Sequence, residues 1–222
     1  MNPQNLAQMI DHTCLKAEAT EEEIFALCRQ AKAYKFYAVC VNSLWVKFAK
    51  HFLKDTNVKV CSTVGFPLGA MHFVAKAYEA KKAVLDGADE IDMVLQVGGL
   101  KSENHDLVSQ DIRAVVEASE GRPVKVTLET ALLEEFEIAE AVEIAVRAGA
   151  RFIKTSTGTT KTGATVEHVK MIRGIVGPNF GIKASGGIRN QEQALALVDA
   201  GASRLGTSAS IAIIMGDLQP SA

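Results

Sequence analysis

Two lysines in this sequence lie in short apolar segments that have the composition of buried β-strands. Lys154 lies within Phe152–Ser156, and Lys183 lies within Gly181–Ser185. Charged side chains are rarely buried unless they are paired or functional. A lysine that is neutral near neutral pH can attack a carbonyl carbon. The pair therefore predicts an amine nucleophile in a buried pocket.

The spacing of two neighbouring strands would make these lysines influence each other. Adjacent strands lie ~4.8 Å apart, which would hold two inward ammonium groups within roughly 6 Å. At an effective dielectric near 20, their repulsion is about 3 kcal/mol, enough to lower one amine's pKa by about two. Loss of solvent acts in the same direction. The alternative is that either lysine forms a structural ion pair with a nearby carboxylate.

Asp92, within Glu90–Val94, is the carboxylate expected beside the lysines. It could hold the second ammonium group in place and pass protons directly or through one water. The alternative role is charge balance alone. For Asp11 and Glu129 we expect a structural or supporting role, and Asp11 could also anchor neighbouring backbone.

Glycine-rich segments follow the last two candidate strands, at Ser185–Arg189 and Gly206–Ala209. Backbone N–H groups and a helix dipole at these positions commonly bind phosphate in β/α barrels, and Arg189 could add a charge-assisted contact. A Gly-Gly pair alone usually forms only a turn. Two such segments at both expected places predict a phosphate site and a phosphorylated carbonyl substrate.

Short apolar segments alternate along the chain with longer stretches in which alanine and other apolar residues recur with helical spacing. The candidate helices include Glu21–Tyr34, Val74–Leu85, Leu133–Arg147 and Val166–Val176. The candidate strands are Met9–Thr13, Tyr37–Val41, Val58–Val64, Glu90–Leu95, Val124–Glu129, Phe152–Ser156, Gly181–Ser185 and Arg204–Thr207.

A weak internal repeat supports this alternation. Around Gly87, Gly149 and Gly201, a helix should end at a glycine that takes a left-handed conformation, and a strand should follow at once. Eight strands alternating with helices predict an α/β protein, a (β/α)8 (TIM) barrel formed by residues 1–222 as one domain. An open doubly wound sheet is the competing fold, but no G-x-G-x-x-G follows an early strand to favour it.

In such a barrel the site lies at the carboxyl ends of the strands, and alternate side chains point inward. Cys40 could line the pocket, although a single cysteine is more often a small buried apolar residue. The polar residues expected to point inward are Asp11, Cys40, Thr63, Asp92, Glu129, Lys154 and Lys183.

Composition narrows the classes of function. The 222 residues are 48% apolar and carry a net charge of -2, so nucleic acid is not an expected partner. We find no apolar run long enough for a membrane span, and Met1–Asn5 lacks a secretory pattern.

Four cysteines without C-x-x-C spacing indicate reduced thiols and a cytoplasmic protein. The five histidines lack metal-ligand spacing, so no metal is expected, and Trp45 and the phenylalanines should pack in the core.

A series of motifs in the same order along almost the whole chain resembles the deoxyribose-phosphate aldolases. The matching segments are Ile10–Thr13, Val39–Asn42, Val64–Gly69, Asp86–Val94, Lys154–Gly158, Lys183–Arg189 and Gly206–Ser208. The resemblance implies reversible cleavage of 2-deoxy-D-ribose 5-phosphate to D-glyceraldehyde 3-phosphate and acetaldehyde, in deoxyribose phosphate catabolism. It also implies no metal or organic cofactor, and a homodimer.

The resemblance assigns roles by position. Lys154 would form the imine, protonated Lys183 would keep Lys154 reactive, and Asp92 would share proton transfer with Lys183. Asp11, Thr13 and Cys40 would line the pocket. The residues matching the phosphate loops are Gly158, Gly186, Gly187, Arg189, Gly206 and Ser208.

Three departures from the family pattern concern the phosphate and the proton transfers. Residues 159–163 read TTKTG where many relatives have a Phe-Gly start, and Ala209 replaces a second serine. The tail from Met215 to Ala222 lacks the tyrosine that some relatives use to assist proton transfer, so either turnover would be slower or water would take that role.

Two other readings of the sequence are another Schiff-base barrel enzyme, such as a transaldolase-like or ketose-phosphate aldolase, and a non-catalytic sugar-phosphate-binding barrel. The joint presence of both lysines and Asp92 argues against the second.

Overall fold

The computed structural model describes residues 1–160 and 162–216. Eight parallel strands close into one barrel in sequence order, so the (β/α)8 prediction is confirmed. The strands are β1 (Ile10–Cys14), β2 (Ala38–Val41), β3 (Lys59–Val64), β4 (Glu90–Val94), β5 (Val124–Thr127), β6 (Phe152–Lys154), β7 (Gly181–Ser185) and β8 (Arg204–Thr207).

Helices cover the outside of this barrel and connect its strands. Two 3-10 turns occupy Ser43–Trp45 and Thr130–Leu132. The α-helices are α1 (Pro3–Ala7), α2 (Glu21–Tyr34), α3 (Val46–Leu53), α4 (Phe73–Leu85), α5 (Val97–Lys101), α6 (His105–Ala118), α7 (Glu135–Arg147), α8 (Val166–Val176), α9 (Gln191–Asp199) and α10 (Ser210–Met215).

Alternation along the strands separates the apolar layer from the polar interior. In β4, Ile91 and Met93 belong to the apolar core between barrel and helices, while Glu90 and Asp92 contact charged residues of other strands. All five residues of β4 are buried. A strand with both faces buried thus carries its charges only where other strands supply partners.

The three glycines of the internal repeat end their helices as predicted. Gly87, Gly149 and Gly201 have φ angles of 104°, 97° and 115°, and a strand follows each of them within a few residues. Residues with a side chain are strained at positive φ angles. Glycine at these three positions therefore allows the chain to pass from helix to strand through a short connection.

Two predicted strands end two residues too late, while the other predicted carboxyl ends lie within one residue of the observed ones. β5 ends at Thr127 instead of Glu129, and β6 ends at Lys154 instead of Ser156. Glu129 has a φ of 59° and precedes the 3-10 turn Thr130–Leu132, so the chain leaves the strand before it. The alternation of side chains does not extend to Glu129 for this reason.

Within residues 1–160 and 162–216, the helices are too short or too polar to cross a membrane.

Candidate active site

Both lysines contact one carboxylate oxygen inside the barrel. The Nζ atoms of Lys154 and Lys183 each lie 2.9 Å from Oδ2 of Asp92. The two nitrogens are therefore less than twice that distance apart. Thr127 donates a hydrogen bond of 2.9 Å to the other oxygen of Asp92. All four side chains are buried, so each fixes the position of the others.

Strand register explains why these side chains meet. Lys154 and Lys183 are direct partners across β6 and β7, and Thr127 is the partner of Lys154 across β5 and β6. Asp92 in β4 is the register partner of Lys125, two residues before Thr127, and its carboxylate contacts both lysines. The prediction that the two lysines lie side by side on neighbouring strands is confirmed.

Lys183 is the more strongly held of the two lysines. Its Nζ also lies 2.7 Å from Oδ2 of Asp11. Burial acts against the charged ammonium group, but the charges of Asp11 and Asp92 outweigh it and raise the pKa of Lys183 well above its usual value. Burial likewise disfavours the charge on Asp92, yet Lys154 and Lys183 bring its pKa below the ordinary range. Both groups therefore stay charged at neutral pH.

A second charged layer lies below the first. Arg204 contacts Asp11 at 2.9 Å and Glu90 at 3.1 Å, and its guanidinium group stacks on the ring of Tyr37. Lys125 forms an ion pair with Glu90. Despite burial, Asp11 and Glu90 raise the pKa of Arg204, and Cys61 together with these two carboxylates raises the pKa of Lys125.

Within residues 1–160 and 162–216, the two layers contain four basic side chains and three carboxylates. Asp11, Glu90 and Asp92 face four cationic side chains, and Lys154 has a carboxylate partner only in Asp92, which it shares. Removing a charge from water is expensive unless a counter-charge compensates it. Among the four, Lys154 has the fewest carboxylate contacts, one against two for each of the others. The four cations are Lys125, Lys154, Lys183 and Arg204.

A cavity of about 650 Å³ opens above this cluster at the carboxyl ends of the strands. Lys154 and Lys183 form its floor, together with Cys40, whose Sγ lies 4.0 Å from Nζ of Lys183. The ring of Phe66 lies 6.0 Å from Nζ of Lys154 and forms an apolar wall. A small carbonyl compound can thus reach the lysine amine beside an apolar surface.

The predicted phosphate residues all border this cavity. Gly158, Gly186 and Gly187 have positive φ angles, and Arg189 and Ser208 are exposed to solvent. Arg189 and Ser208, being exposed, form part of the rim of the cavity, whereas Lys154 and Lys183 are buried at its floor. The full predicted set on the cavity wall is Gly158, Gly186, Gly187, Arg189, Gly206 and Ser208.

Gly206 also serves Lys183 directly. A Cβ atom at this position would lie 2.8 Å from Cε of Lys183 and 3.0 Å from Cβ of Ser185. The absence of a side chain in β8 makes room for the lysine side chain from β7. Sequence reasoning placed this glycine with the phosphate loops and missed this packing requirement.

The predicted pocket-lining residues divide into two groups. Thr13 and Cys40 lie on the cavity wall. Asp11 does not, which corrects the prediction: its carboxylate is fully buried beneath Lys183 and binds Arg204. Glu129 lies beyond the end of β5, where its carboxylate accepts a hydrogen bond of 3.1 Å from the backbone of Thr157.

Sequence reasoning overlooked several residues of the site. Lys125 and Glu90 share strand parity with the predicted inward residues Glu129 and Asp92, and the same alternation could have found them. Arg204 lies in β8, where no inward residue was predicted. Phe66 was expected to pack in the core, and His12 was considered only as a metal ligand; both line the cavity. The Thr63 hydroxyl donates to Oδ1 of Asn42 at 3.2 Å, outside the lysine cluster.

Two groups of three potential metal ligands exist in the described part of the chain. They are Cys40, Cys61 and Asp92, and Asp11, Cys61 and Glu90. Their carboxylates already neutralise lysines and an arginine, so a dication would have to displace cations that the barrel holds in place. The donor sets fit a resident metal poorly.

Two predictions fall outside the described residues. Lys161 in the 159–163 loop and the tail residues 217–222 are not described. The expected effects of this part of the loop and of the missing tyrosine therefore stay predictions. Ala209 borders the cavity as expected from its position after β8.

The fold and site together define a (β/α)8 barrel with a buried lysine pair and a carboxylate at the floor of an open cavity. The family model for DeoC/LacD family aldolases matches residues 5–216. Curated deoxyribose-phosphate aldolases from Exiguobacterium sp. and Streptococcus sanguinis are each 55% identical over 212 residues. These alignments cover 95% and 96% of this chain and 96% of each relative.

Solved structures agree with these relatives. A putative deoxyribose-phosphate aldolase from Coccidioides immitis superposes with a TM-score of 0.94 at 40% identity, covering 96% of this chain and 86% of that one. The tetrameric deoxyribose phosphate aldolase from Aeropyrum pernix gives 0.90 at 33%, with coverage of 96% and 91%. This chain belongs to the DeoC/LacD aldolase family.

Proposed function

We propose that this protein is a deoxyribose-phosphate aldolase that cleaves 2-deoxy-D-ribose 5-phosphate reversibly to D-glyceraldehyde 3-phosphate and acetaldehyde. The observation that carries the proposal is the buried contact of Lys154 and Lys183 with one oxygen of Asp92 at the cavity floor. The names of the relatives, at 55% identity over nearly the whole chain, give the substrate.

Lys154 is the nucleophile in this proposal. Its neutral amine attacks the aldehyde carbon of the open-chain sugar, and loss of water from the resulting carbinolamine leaves a protonated imine. The C3 hydroxyl gives its proton, directly or through water, to the Lys183 amine left by the dehydration, and the bond between carbons 2 and 3 breaks with its electron pair accepted by the imine. Glyceraldehyde 3-phosphate departs and an enamine stays on Lys154. Protonation of the enamine and hydrolysis release acetaldehyde.

Lys183 and Asp92 move the protons. Protonated Lys183 lies beside Lys154 on the same carboxylate oxygen, so it can protonate the carbinolamine hydroxyl and later the enamine carbon. Its positive charge also favours the neutral form of Lys154 by repulsion. Asp92 holds both nitrogens in place and accepts protons from them. Asp11 supports Lys183 from below.

The phosphate binds at the outer part of the cavity. Backbone N–H groups of the loops after β7 and β8 lie where barrels of this class hold phosphate, and Arg189 supplies a positive charge on the rim. This arrangement places the phosphate end of the sugar away from the lysines, with the aldehyde end at the floor.

Covalent trapping tests the central claim. Borohydride reduction in the presence of acetaldehyde should leave a two-carbon adduct on Lys154, located by peptide mass mapping. A reduced adduct on Lys183, or no labelling that depends on acetaldehyde, would contradict the assignment. Comparing acetaldehyde with dihydroxyacetone phosphate as the donor separates this activity from a ketose-phosphate aldolase.

We further propose that residues 1–222 act as one domain, in the cytoplasm and as a homodimer. The four free cysteines fit a reducing compartment. Size-exclusion chromatography with light scattering measures the oligomeric state.

A further inference from the structure

Two cysteines lie next to each other at the base of the cavity. Cys40 in β2 and Cys61 in β3 are direct partners across the strands, and their sulfur atoms lie within 4.8 Å of each other. Both are buried, but Cys40 reaches the cavity wall. Neither thiol has a step in the proposed aldol reaction.

Cationic side chains surround this pair. Nζ of Lys183 lies 4.0 Å from Sγ of Cys40, and Nζ of Lys125 lies 3.2 Å from Sγ of Cys61. The hydrogen bond from Cys61 and the charge of Lys183 outweigh burial and lower the pKa of the Cys40 thiol to about 7. The hydrogen bond to Cys40 and burial raise the pKa of Cys61. At neutral pH the pair therefore offers a thiolate at the cavity and a thiol behind it.

The strands hold the two residues at a separation that a disulfide can bridge. Neighbouring strands lie about 4.8 Å apart, inside the range of about 4.4–6.8 Å that disulfides span between Cα atoms. The spacing is longer than the mean Cβ separation of about 3.8 Å in disulfides. A bond here would be strained, and strained disulfides are readily reduced.

We propose that Cys40 and Cys61 form a peroxide-sensitive dithiol that closes reversibly into a disulfide at the cavity floor and switches the enzyme off. No part of the aldol reaction requires this pair, so the modification is a separate property of the same pocket. The inactivation rests on the proposed function, whereas the cross-link itself does not.

The chemistry balances with a peroxide as the oxidant. The Cys40 thiolate attacks one oxygen of hydrogen peroxide, which forms a sulfenic acid on Cys40 and releases hydroxide. The Cys61 sulfur then attacks the Cys40 sulfur, the S–O bond breaks, and the oxygen leaves as water with the Cys61 proton. Two electrons pass from the two thiols to the peroxide, and a dithiol reductant returns them.

The disulfide changes the lysine cluster. Formation of the Cys40–Cys61 disulfide removes the negative charge of the Cys40 sulfur beside Lys183. It also draws this sulfur towards Cys61 and away from the cavity wall. Lys125 loses its contact with an ionisable thiol in the same step. Since a displacement of about 1 Å at catalytic groups can cost a hundredfold in rate, we expect oxidation to suppress turnover.

Peroxide titration of the wild-type protein tests the proposal. Treatment at pH 7.5 should lower the intact mass by two hydrogens, produce a Cys40–Cys61 cross-linked peptide and remove most of the aldolase activity. Dithiothreitol should restore the mass and activity together. Activity loss without the cross-link, or a disulfide through Cys14 or Cys28, overturns the proposal. If the protein has no aldolase activity, the cross-link still reports on the dithiol while the proposed function fails separately.

Two variants provide a matched comparison. Cys61→Ala removes the resolving thiol, so peroxide should carry Cys40 on to the sulfinic acid, and activity lost should not return with dithiothreitol. Cys28→Ala removes an equally buried thiol in α2 and should keep reversible inactivation. Each variant is compared with its own untreated activity. Full recovery in Cys61→Ala contradicts the proposal.

Discussion

The floor and the rim of the cavity are built in opposite ways. At the floor, Asp92, Lys154 and Lys183 are buried side chains on strands, and each is fixed by an ion pair. At the rim, Arg189 and Ser208 are exposed and belong to loops. The side chains that react are thus held precisely by the rigid strands of the barrel. The anion is bound by backbone N–H groups of the loops and by the charge of Arg189, which require less precise placement.

This contrast separates two kinds of kinetic effect. A change at the floor alters the reacting amine and its proton donor, so it should lower kcat. A change at the rim alters binding of a group that does not react, so it should raise KM for phosphorylated substrates only. Four substitutions test this division.

Lys183→Leu should have the largest effect. Removing the ammonium group takes away the proton donor beside Lys154 and the charge that favours its neutral form, so kcat at pH 7 should fall by about 10²–10⁴-fold. The residual activity should rise as the pH is raised towards 10, which a purely structural defect would not produce. Steady-state kinetics from pH 6 to pH 10 measure both effects.

The barrel should stay folded in this variant because Asp11 retains Arg204 and Asp92 retains Lys154. Circular dichroism and thermal unfolding check this. Lys170→Leu, at an exposed position of α8, is the matched control and should leave kcat unchanged. Near-normal turnover of Lys183→Leu at pH 7 would refute the proposed role.

The sequence predicted that Gly206 binds phosphate at the rim, but in the structure it packs against Lys183 at the floor. Gly206→Ala tests which of these two roles the residue has. The added Cβ would lie 2.8 Å from Cε of Lys183, so the lysine must move away from Asp92. Because a shift of about 1 Å in a catalytic group can cost a hundredfold, we expect kcat to fall by about 10–100-fold with KM little changed.

Gly187→Ala provides the contrast to this variant. No atom lies within 4 Å of a Cβ at Gly187, but its φ of 76° strains any side chain. This variant should perturb the loop and raise KM more than it lowers kcat. An increase in KM alone for Gly206→Ala would place Gly206 with the rim.

The same contrast decides what the sequence could predict. Alternation on short apolar strands was enough to place Asp92, Lys154 and Lys183 together, because parity and strand order determine inward positions in a closed barrel. The rule failed at Glu129, since the left-handed turn there depends on tertiary hydrogen bonds to the next loop. Local sequence carries no record of such contacts.

The sequence also could not predict how side chains of different strands pack against each other, or how deep in the barrel an inward side chain lies. Nothing in a Gly-Thr-Ser segment indicates that Gly206 leaves room for a lysine from another strand. Asp11 was placed on the cavity wall, but whether an inward residue lies at the wall or one layer below depends on the tilt and stagger of the strands. Parity gives the face of a strand and leaves the height undetermined.

Arg189→Ala should have the smallest effect and the most selective one. Its exposed position means that solvent screens its contact with phosphate, so the contribution is about 1 kcal/mol or less. We expect KM for 2-deoxyribose 5-phosphate to rise by no more than about fivefold, with kcat unchanged, and no change for unphosphorylated 2-deoxyribose. Added salt should reduce the difference from wild type, and Arg147→Ala, exposed on α7, should show no change. An equal loss with both sugars would mean that Arg189 acts on the floor, and the division between floor and rim would fail there.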